Sequence, residues 1–390
     1  MNCPIKSFLD TDIYKFFMAY AINKLYPNVK VSYKFKNRGP HRFNNAFMER
    51  LEYFIQGELP HITLTDVEAE WLHNKNPFFD QSFIDYLKNY QFNPEEVSFN
   101  LDSDNNLILD VNNSYWNRSI FWEIPLMAGI SEIYFQTVDT NWESDLEDFK
   151  KITYIKGIEL SKNDCNWIDF STRRRRNFEA QNIVVETFKD LPGFKGTSNP
   201  YLARKHGINA VGTQAHEWIM GISALESLNH PNKFAMDKWI SVYGGKLGTV
   251  LTDTYGTDAF LEDFNSYYAR VFDSVRQDSG NPFKFTDKII NHYKSLGIDP
   301  KTKTIIFSDS LNTQLCVDLK RYCTGINCSF GIGTNFSGDF GKESPALNMV
   351  IKLNTVEGIP VIKLSDDKGK ECGDPDYLKI AKKIFYGEIL

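Results

Sequence analysis

A small-residue turn after an extended segment delivers a single histidine in Val211-Gly212-Thr213-Gln214-Ala215-His216-Glu217-Trp218. Near pH 7 a neutral imidazole can serve as acid, base, metal ligand or phosphate acceptor. Alone, such a histidine reads most plainly as a satisfied structural residue, but its neighbours point further. Arg173-Arg174-Arg175-Arg176 is the densest charge in the chain and stands where a helix is expected to begin. The helix dipole disfavours cations there, so the run is easiest to understand with an anion in front of it. Arg276-Gln277-Asp278-Ser279-Gly280 sets a fixed cation two residues from a carboxylate, and strand alternation places both on one side. A ribosyl pocket needs both kinds of group; the bland alternative is a surface ion pair of little worth. Ser308-Asp309-Ser310 and Gly331-Ile332-Gly333-Thr334 are turns where backbone N–H groups could approach an oxyanion.

These turns all follow short apolar segments: Trp167–Phe170, Phe194–Gly196, Asn209–Val211, Gly248–Leu251, Ser274–Val275, Thr304–Phe307 and Ser329–Phe330. Amphipathic helices are expected between them, for example over Phe178–Phe188, Leu202–Lys205, Asp258–Phe272, Phe285–Ser295 and Leu311–Tyr322. Repeated strand-helix units with polar residues after each strand predict an α/β fold, an irregular TIM-like α/β barrel with its site at the C-terminal strand ends. An open doubly wound sheet would place a site similarly. Neither the dinucleotide-binding glycine pattern nor a P-loop sequence occurs.

Residues 1–115 read as a smaller N-terminal α/β domain, 116–350 as the barrel, and 351–390 as a hairpin and helix that close the structure. Within the first stretch, Ile13, Phe16, Phe17 and Tyr20 form a helical core stripe with Tyr14 off it, and Asp12 offers an N-cap. A hairpin is expected across Ser103–Asn106.

The 390-residue chain is 42% hydrophobic and 24% charged, the balance of a globular protein with a substantial core. Aromatics reach 14%, so most must be core and no single ring marks a ligand. The net charge of -6 and the lack of aromatic interleaving in the arginine run argue against nucleic acid. No apolar run approaches the ~18 residues of a membrane span. Asp10, Asp12 and Lys15 interrupt any signal-like start. Six cysteines without CxxC pairs read as reduced thiols in a cytoplasmic protein.

Six motifs, in order, resemble the nicotinate phosphoribosyltransferase family, a type II phosphoribosyltransferase: Leu9–Lys15, Asp169–Arg174, Gly196–Asn199, Gly212–Trp218, Arg276–Gly280 and Phe330–Thr334. The resemblance implies that nicotinate and 5-phosphoribosyl 1-diphosphate give nicotinate mononucleotide and diphosphate, in NAD salvage. ATP hydrolysis would be coupled through a phosphohistidine, with Mg²⁺ held mainly by substrate phosphates. It implies His216 as the phosphorylated residue, with Arg276 and Asp278 beside it in catalysis. Tyr14 and Phe170 would sandwich the pyridine, Tyr14 from the partner subunit of a homodimer. Arg173 would clamp an anion, Thr213 and Ser198 would meet nicotinate, and Gly333, Thr334, Ser310 and Lys352 would hold phosphate. Ser198 stands where nicotinamide-using relatives have Asp, which favours nicotinate over the alternative, nicotinamide. A non-catalytic nucleotide sensor of the same fold is the other alternative; the presence of His216, Arg276 and Asp278 argues against it.

Overall fold

The computed structural model describes residues 2–140, 142, 146–340, 344–367 and 369–387, without the side chain of Asn113. Its strands are short and form two sheets. β1 (Lys30–Asn37), β2 (Val97–Leu101), β3 (Leu107–Tyr115), β10 (Met349–Val356) and β11 (Ile359–Pro360) make a five-stranded sheet in the order β11-β10-β1-β3-β2. The hairpin expected across Ser103–Asn106 is present, with Leu101 opposite Leu107. β4 (Trp167–Asp169), β5 (Phe194–Thr197), β6 (Thr249–Leu251), β7 (Ser274–Gln277), β8 (Thr304–Phe307) and β9 (Asn327–Ile332) make the second sheet, in the order β5-β4-β9-β8-β7-β6.

That order is the chain order read around a ring, as in an α/β barrel with its seam between β5 and β6. The β6-β7-β8-β9 pairings are parallel. At the seam the strand expected over Asn209–Val211 shrinks to one parallel bridge, Ala210 to Thr197. Gly196, at φ +133°, permits it: a Cβ there would overlap the Asn209 carbonyl oxygen. The barrel is therefore irregular, as the spacing of its units predicts. The helix expected over Asp258–Phe272 is two, Thr257–Asp263 and Ser266–Val271, because Asn265 caps the second through the Tyr267 and Tyr268 N–H groups.

Two compact units divide the chain, one of residues 1–159, 168–212 and 332–352, the other of 160–167, 213–331 and 353–390. They differ from the three consecutive stretches read from the sequence. Pairing across a sheet joins segments distant in the chain, so β10 joins the sheet of β1, β2 and β3.

In the first unit the aromatic residues find their use as core. Phe8 lies 4.9–6.0 Å, centroid to centroid, from Phe16, Tyr90, Phe92 and Phe121. The helix Ile13–Leu25 is buried on all sides from Ile13 to Ile22, Tyr14 included. Tyr14 thus leaves the expected stripe without becoming exposed. Asp12 occupies the cap position, yet its carboxylate caps nothing and instead accepts from Ser198 Oγ at 2.5 Å.

The arginine run is largely structural. Thr172–Arg174 form a single 3₁₀ turn, and the next helix begins only at Phe178, capped by Asn177. Arg174 donates to the Met349 carbonyl, and Arg176 to Ser344 and the Gly338 carbonyl while stacked 3.5 Å from the Phe135 ring centroid. Arg175, fully buried, grips Asp10 with Nη1–Oδ1 of 2.7 Å and Nη2–Oδ2 of 2.9 Å. Asn199 also donates to Asp10. Arg173 and Arg174 are both half-buried, whereas Arg175 and Arg176 are buried. Removing one partner of a buried pair strands the other charge, at about 3–5 kcal/mol. Asp10→Ala should therefore lose about that much stability in urea unfolding, and a loss below 1 kcal/mol would show that the Arg175 charge is compensated elsewhere.

Candidate active site

In the second unit three segments that follow strands deliver ionisable groups to one imidazole. His216 is the first residue of the helix His216–Leu225, behind the extended segment Thr213–Ala215. β6 ends at Thr252-Asp253-Thr254, β7 at Arg276-Gln277-Asp278, and the segment after β11 carries Lys363. His216 Nδ1 lies 3.0 Å from Thr254 Oγ1, and Nε2 lies 3.0 Å from Asp278 Oδ2 and 3.5 Å from Asp253 Oδ1. Lys363 Nζ is 2.9 Å from His216 Nε2 and 2.9 Å from Asp253 Oδ2.

Arg276 and Asp278 do fall on one side of their strand end, 3.4 Å apart. Ser308 links them, accepting from Arg276 Nε at 2.9 Å and donating to Asp278 Oδ1 at 2.7 Å. Ser279 donates to Asp253 Oδ2 at 2.6 Å. Burial, and next the Lys363 charge, push the imidazolium of His216 down to about 4. Burial would raise the two carboxyl groups, but their neighbours outweigh it: Arg276, His216 and Lys363 hold Asp278 well below its ordinary value, and His216 and Lys363 lower Asp253. The result at neutral pH is an uncharged imidazole between ionised carboxylates and an ammonium. One ring nitrogen then keeps a lone pair able to attack phosphorus.

His216, Asp253 and Asp278 offer ligand atoms within 4.8 Å of one another, a spacing a metal could use. Lys363 already places a cation between two of them, so this set does not fit a resident metal.

In the first unit a second polar group surrounds the end of β4. Asp169 is buried, accepts from Ser171, Gln181 and Thr197, and ties β4 to β5. Ser198, next in the chain, donates its hydroxyl to Asp12, which burial raises against the lowering charge of Arg173. Arg173 also stands 3.9 Å from Glu123, which grips Lys15 at 2.6 Å. Burial would raise the Glu123 carboxyl, but Lys15, Lys352 and Arg173 lower it. Arg173 and Lys352 are thus half-buried cations near one carboxylate, a setting that suits an incoming anion.

The other expected residues are placed less tellingly. Phe170 and Gly333 meet through backbone: Phe170 N–H donates to the Ile332 carbonyl, and a Cβ on Gly333 would sit 3.1 Å from the Phe170 oxygen. Thr334 opens the short helix Thr334–Ser337. Thr213 is half-buried in the extended segment. Ser310 is exposed at φ 48° and donates to Asp309; its neighbour Ser308 joins Asp278 instead. Gly212 packs against Ile13 and Tyr14, where a Cβ would come 2.7 Å from Ile13 Cγ2. Sequence reasoning missed Lys363, Asp253 and Thr254, and it marked the turn of Ser308 without foreseeing that this hydroxyl joins Asp278. Asp253 and Thr254 sat in a strand-end turn like the others, whereas Lys363 carried no local signal.

A family model described as nicotinate phosphoribosyltransferase (NAPRTase) family matches residues 165–388, and its N-terminal-domain model matches 9–131. The chain belongs to the nicotinate phosphoribosyltransferase family. It is 46% identical over 396 residues to a nicotinate phosphoribosyltransferase of Methanococcoides burtonii, covering 98% of both chains, and 38% identical over 395 residues to one of Escherichia coli, covering 98% of this chain and 96% of that one. A crystal structure of nicotinate phosphoribosyltransferase from Porphyromonas gingivalis superposes with a TM-score of 0.94 at 37% identity, over 98% of this chain and 100% of that chain. The irregular barrel with its N-terminal domain is the fold of this family.

His216 supplies a pH test. Its folded value, about 4, lies below the ~6.5 of an unfolded histidine, so the unfolded chain binds the proton first. The neutral ring's contribution is present above pH ~6.5 and is lost as pH falls towards 4, on the order of 3 kcal/mol in all. Between pH 6.5 and 4 the wild type should lose more stability than His216→Asn. Equal pH slopes would show that the ring titrates normally.

Proposed function

We propose that this chain is a nicotinate phosphoribosyltransferase coupled to ATP through phosphorylation of His216, forming nicotinate mononucleotide and diphosphate in NAD salvage. The observation that carries this reading is the neutral, buried imidazole of His216 set between Lys363, Asp253 and Asp278. In the first half-reaction a nitrogen–phosphorus bond forms as the bond from the γ-phosphorus to ADP breaks. Lys363 and Arg276 offset the charge that develops on the phosphoryl oxygens. In the second, the pyridine nitrogen attacks the anomeric carbon and diphosphate leaves with the bonding electrons. The centre passes through an oxocarbenium-like state, which the ionised Asp278 suits. Hydrolysis of the phosphohistidine returns the enzyme.

Arg173 and Lys352 serve as anion contacts, and Phe170 and Tyr14 hold the pyridine faces. Gly333, Thr334 and Ser310 serve phosphate, and Thr213 meets nicotinate. Mg²⁺ enters with the substrate phosphates, since Lys363 stands among the carboxylates. A homodimer with shared sites belongs to the proposal on the family resemblance alone; burial of Tyr14 within its own chain removes the sequence argument for it. A cytoplasmic location accords with the absence, among the described residues, of a helix long and apolar enough to cross a membrane.

Phosphorylation is directly measurable. Wild type incubated with γ-³²P-ATP should carry acid-labile, base-stable label, and His216→Ala should carry none and lose ATP stimulation while keeping slow turnover. Equal labelling of the two would remove His216 from the role.

Pyridine choice gives a second test. The Ser198 hydroxyl is committed to Asp12. Ser198→Asp would set two carboxylates together near the nicotinate carboxylate. Like charges ~4 Å apart repel by ~4 kcal/mol at an effective dielectric of ~20, partly relieved by proton uptake. Nicotinate kcat/KM should therefore fall at least about tenfold, and nicotinamide should be hurt less. A ratio of the two kcat/KM values within about twofold of wild type would place selection elsewhere, for instance at Arg173.

A further inference from the structure

His216 Nε2 faces two partners that one neutral ring cannot satisfy together. Lys363 can only donate and Asp278 can only accept, yet they stand 2.9 and 3.0 Å from the same nitrogen. With a lone pair on Nε2 the ring takes the Lys363 hydrogen bond and turns an acceptor toward Asp278. With a hydrogen on Nε2 it serves Asp278 and repels Lys363. Thr254, at Nδ1, permits either state, because a hydroxyl can accept or donate. A further observation points the same way: Asp253 Oδ1 is buried, has no hydrogen-bond partner among the described residues, and lies 3.5 Å from Nε2. It is a second acceptor beside the same nitrogen, which the Nε2–H form of the ring could serve.

We propose that Lys363 is a positioning residue that sets which nitrogen of His216 carries the hydrogen, and that an arriving phosphate reverses the setting by drawing Lys363 away. The proposal rests on the phosphohistidine reading for its use in catalysis, though not for its geometry. Without an anion, Lys363 spans Nε2 and Asp253 Oδ2, and Nδ1–H donates to Thr254. A phosphate oxygen is a stronger, charge-assisted partner for the ammonium. Once Lys363 turns to it, Nε2 takes up a proton and donates to Asp278, with Asp253 Oδ1 beside it. Nδ1 gives up its proton and accepts from Thr254. Both protons exchange with water, so the charge of the ring is unchanged. The lone pair has moved from one nitrogen to the other, and the freed ammonium accompanies the phosphate. The charged groups facing the ring are Lys363, Asp253 and Asp278, with Arg276 behind Asp278. The depression of the imidazolium by the Lys363 charge agrees with this arrangement.

The test uses the full chain labelled with ¹⁵N-histidine. In the ligand-free wild type, NMR should show His216 with the hydrogen on Nδ1, and inorganic diphosphate should move it to Nε2. Lys363→Met should show the Nε2–H form with and without diphosphate. Its His216 should also titrate closer to the ordinary histidine value, moving the acid limb of the kcat/KM profile to higher pH. Lys363→Arg, which keeps a donor-only cation, should restore the diphosphate response. The rate of ³²P labelling should fall about tenfold or more in Lys363→Met, the worth of one charge-assisted hydrogen bond. An Nε2–H ring in the ligand-free wild type, or a Lys363→Met protein whose tautomer and titration match wild type, would overturn the proposal. A wild type that switches with diphosphate but takes no ³²P label would instead sink the phosphohistidine reading and leave the role of Lys363 standing.

Discussion

A charge taken out of water must find an opposite charge or a full set of hydrogen bonds, and this constraint shapes both compact units. In the first, Arg175 is buried against Asp10, and Arg176 against carbonyls and an aromatic face. Lys15, fully buried, is held by Glu123. In the second, Lys363 and Arg276 answer Asp253 and Asp278 around His216. None of these pairs lies on the water-facing surface, where such contacts contribute little. Each makes its neighbours depend on it, because removing one member strands the other.

The fold makes these meetings possible because parallel strands end together. Every β-strand of the second sheet is only three to six residues long, and each hands the chain to a polar turn. The apolar residues within the strands, such as Val250, Val275, Ile305 and Phe307, are fully buried and set the height at which the turns emerge. The side chains that follow are therefore delivered to a common level. Arg276 and Asp278 share a side of β7, Ser308 follows β8, and Asp253 follows β6. Asp169 does the corresponding work at β4 and β5, where its carboxylate fastens Thr197 and the turn at Ser171.

The electrostatic outcome differs between the two polar groups. Around His216, burial and then the Lys363 charge keep the imidazole neutral, while neighbouring groups hold both carboxylates below their ordinary values. Around Ser198, Asp12 is raised by burial although Arg173 is near, and its hydroxyl partner is fixed.

Much of this was legible in the chain itself. Alternation placed Arg276 and Asp278 together, apolar runs marked most of the strands, and turn residues marked their ends. Those are properties of a few neighbouring residues, and local geometry carries them into the fold unchanged. The arginine run misled because charge density says nothing about burial: three of the four guanidinium groups turn to Met349, Asp10 and Ser344, residues distant in the chain. Tyr14 misled because a stripe assumes one buried face, and this helix is enclosed on all of them. Lys363 stayed invisible for a different reason. It lies 147 positions from His216, beyond any spacing rule, and only the packing of β-strand ends around one imidazole decides that its ammonium meets that nitrogen.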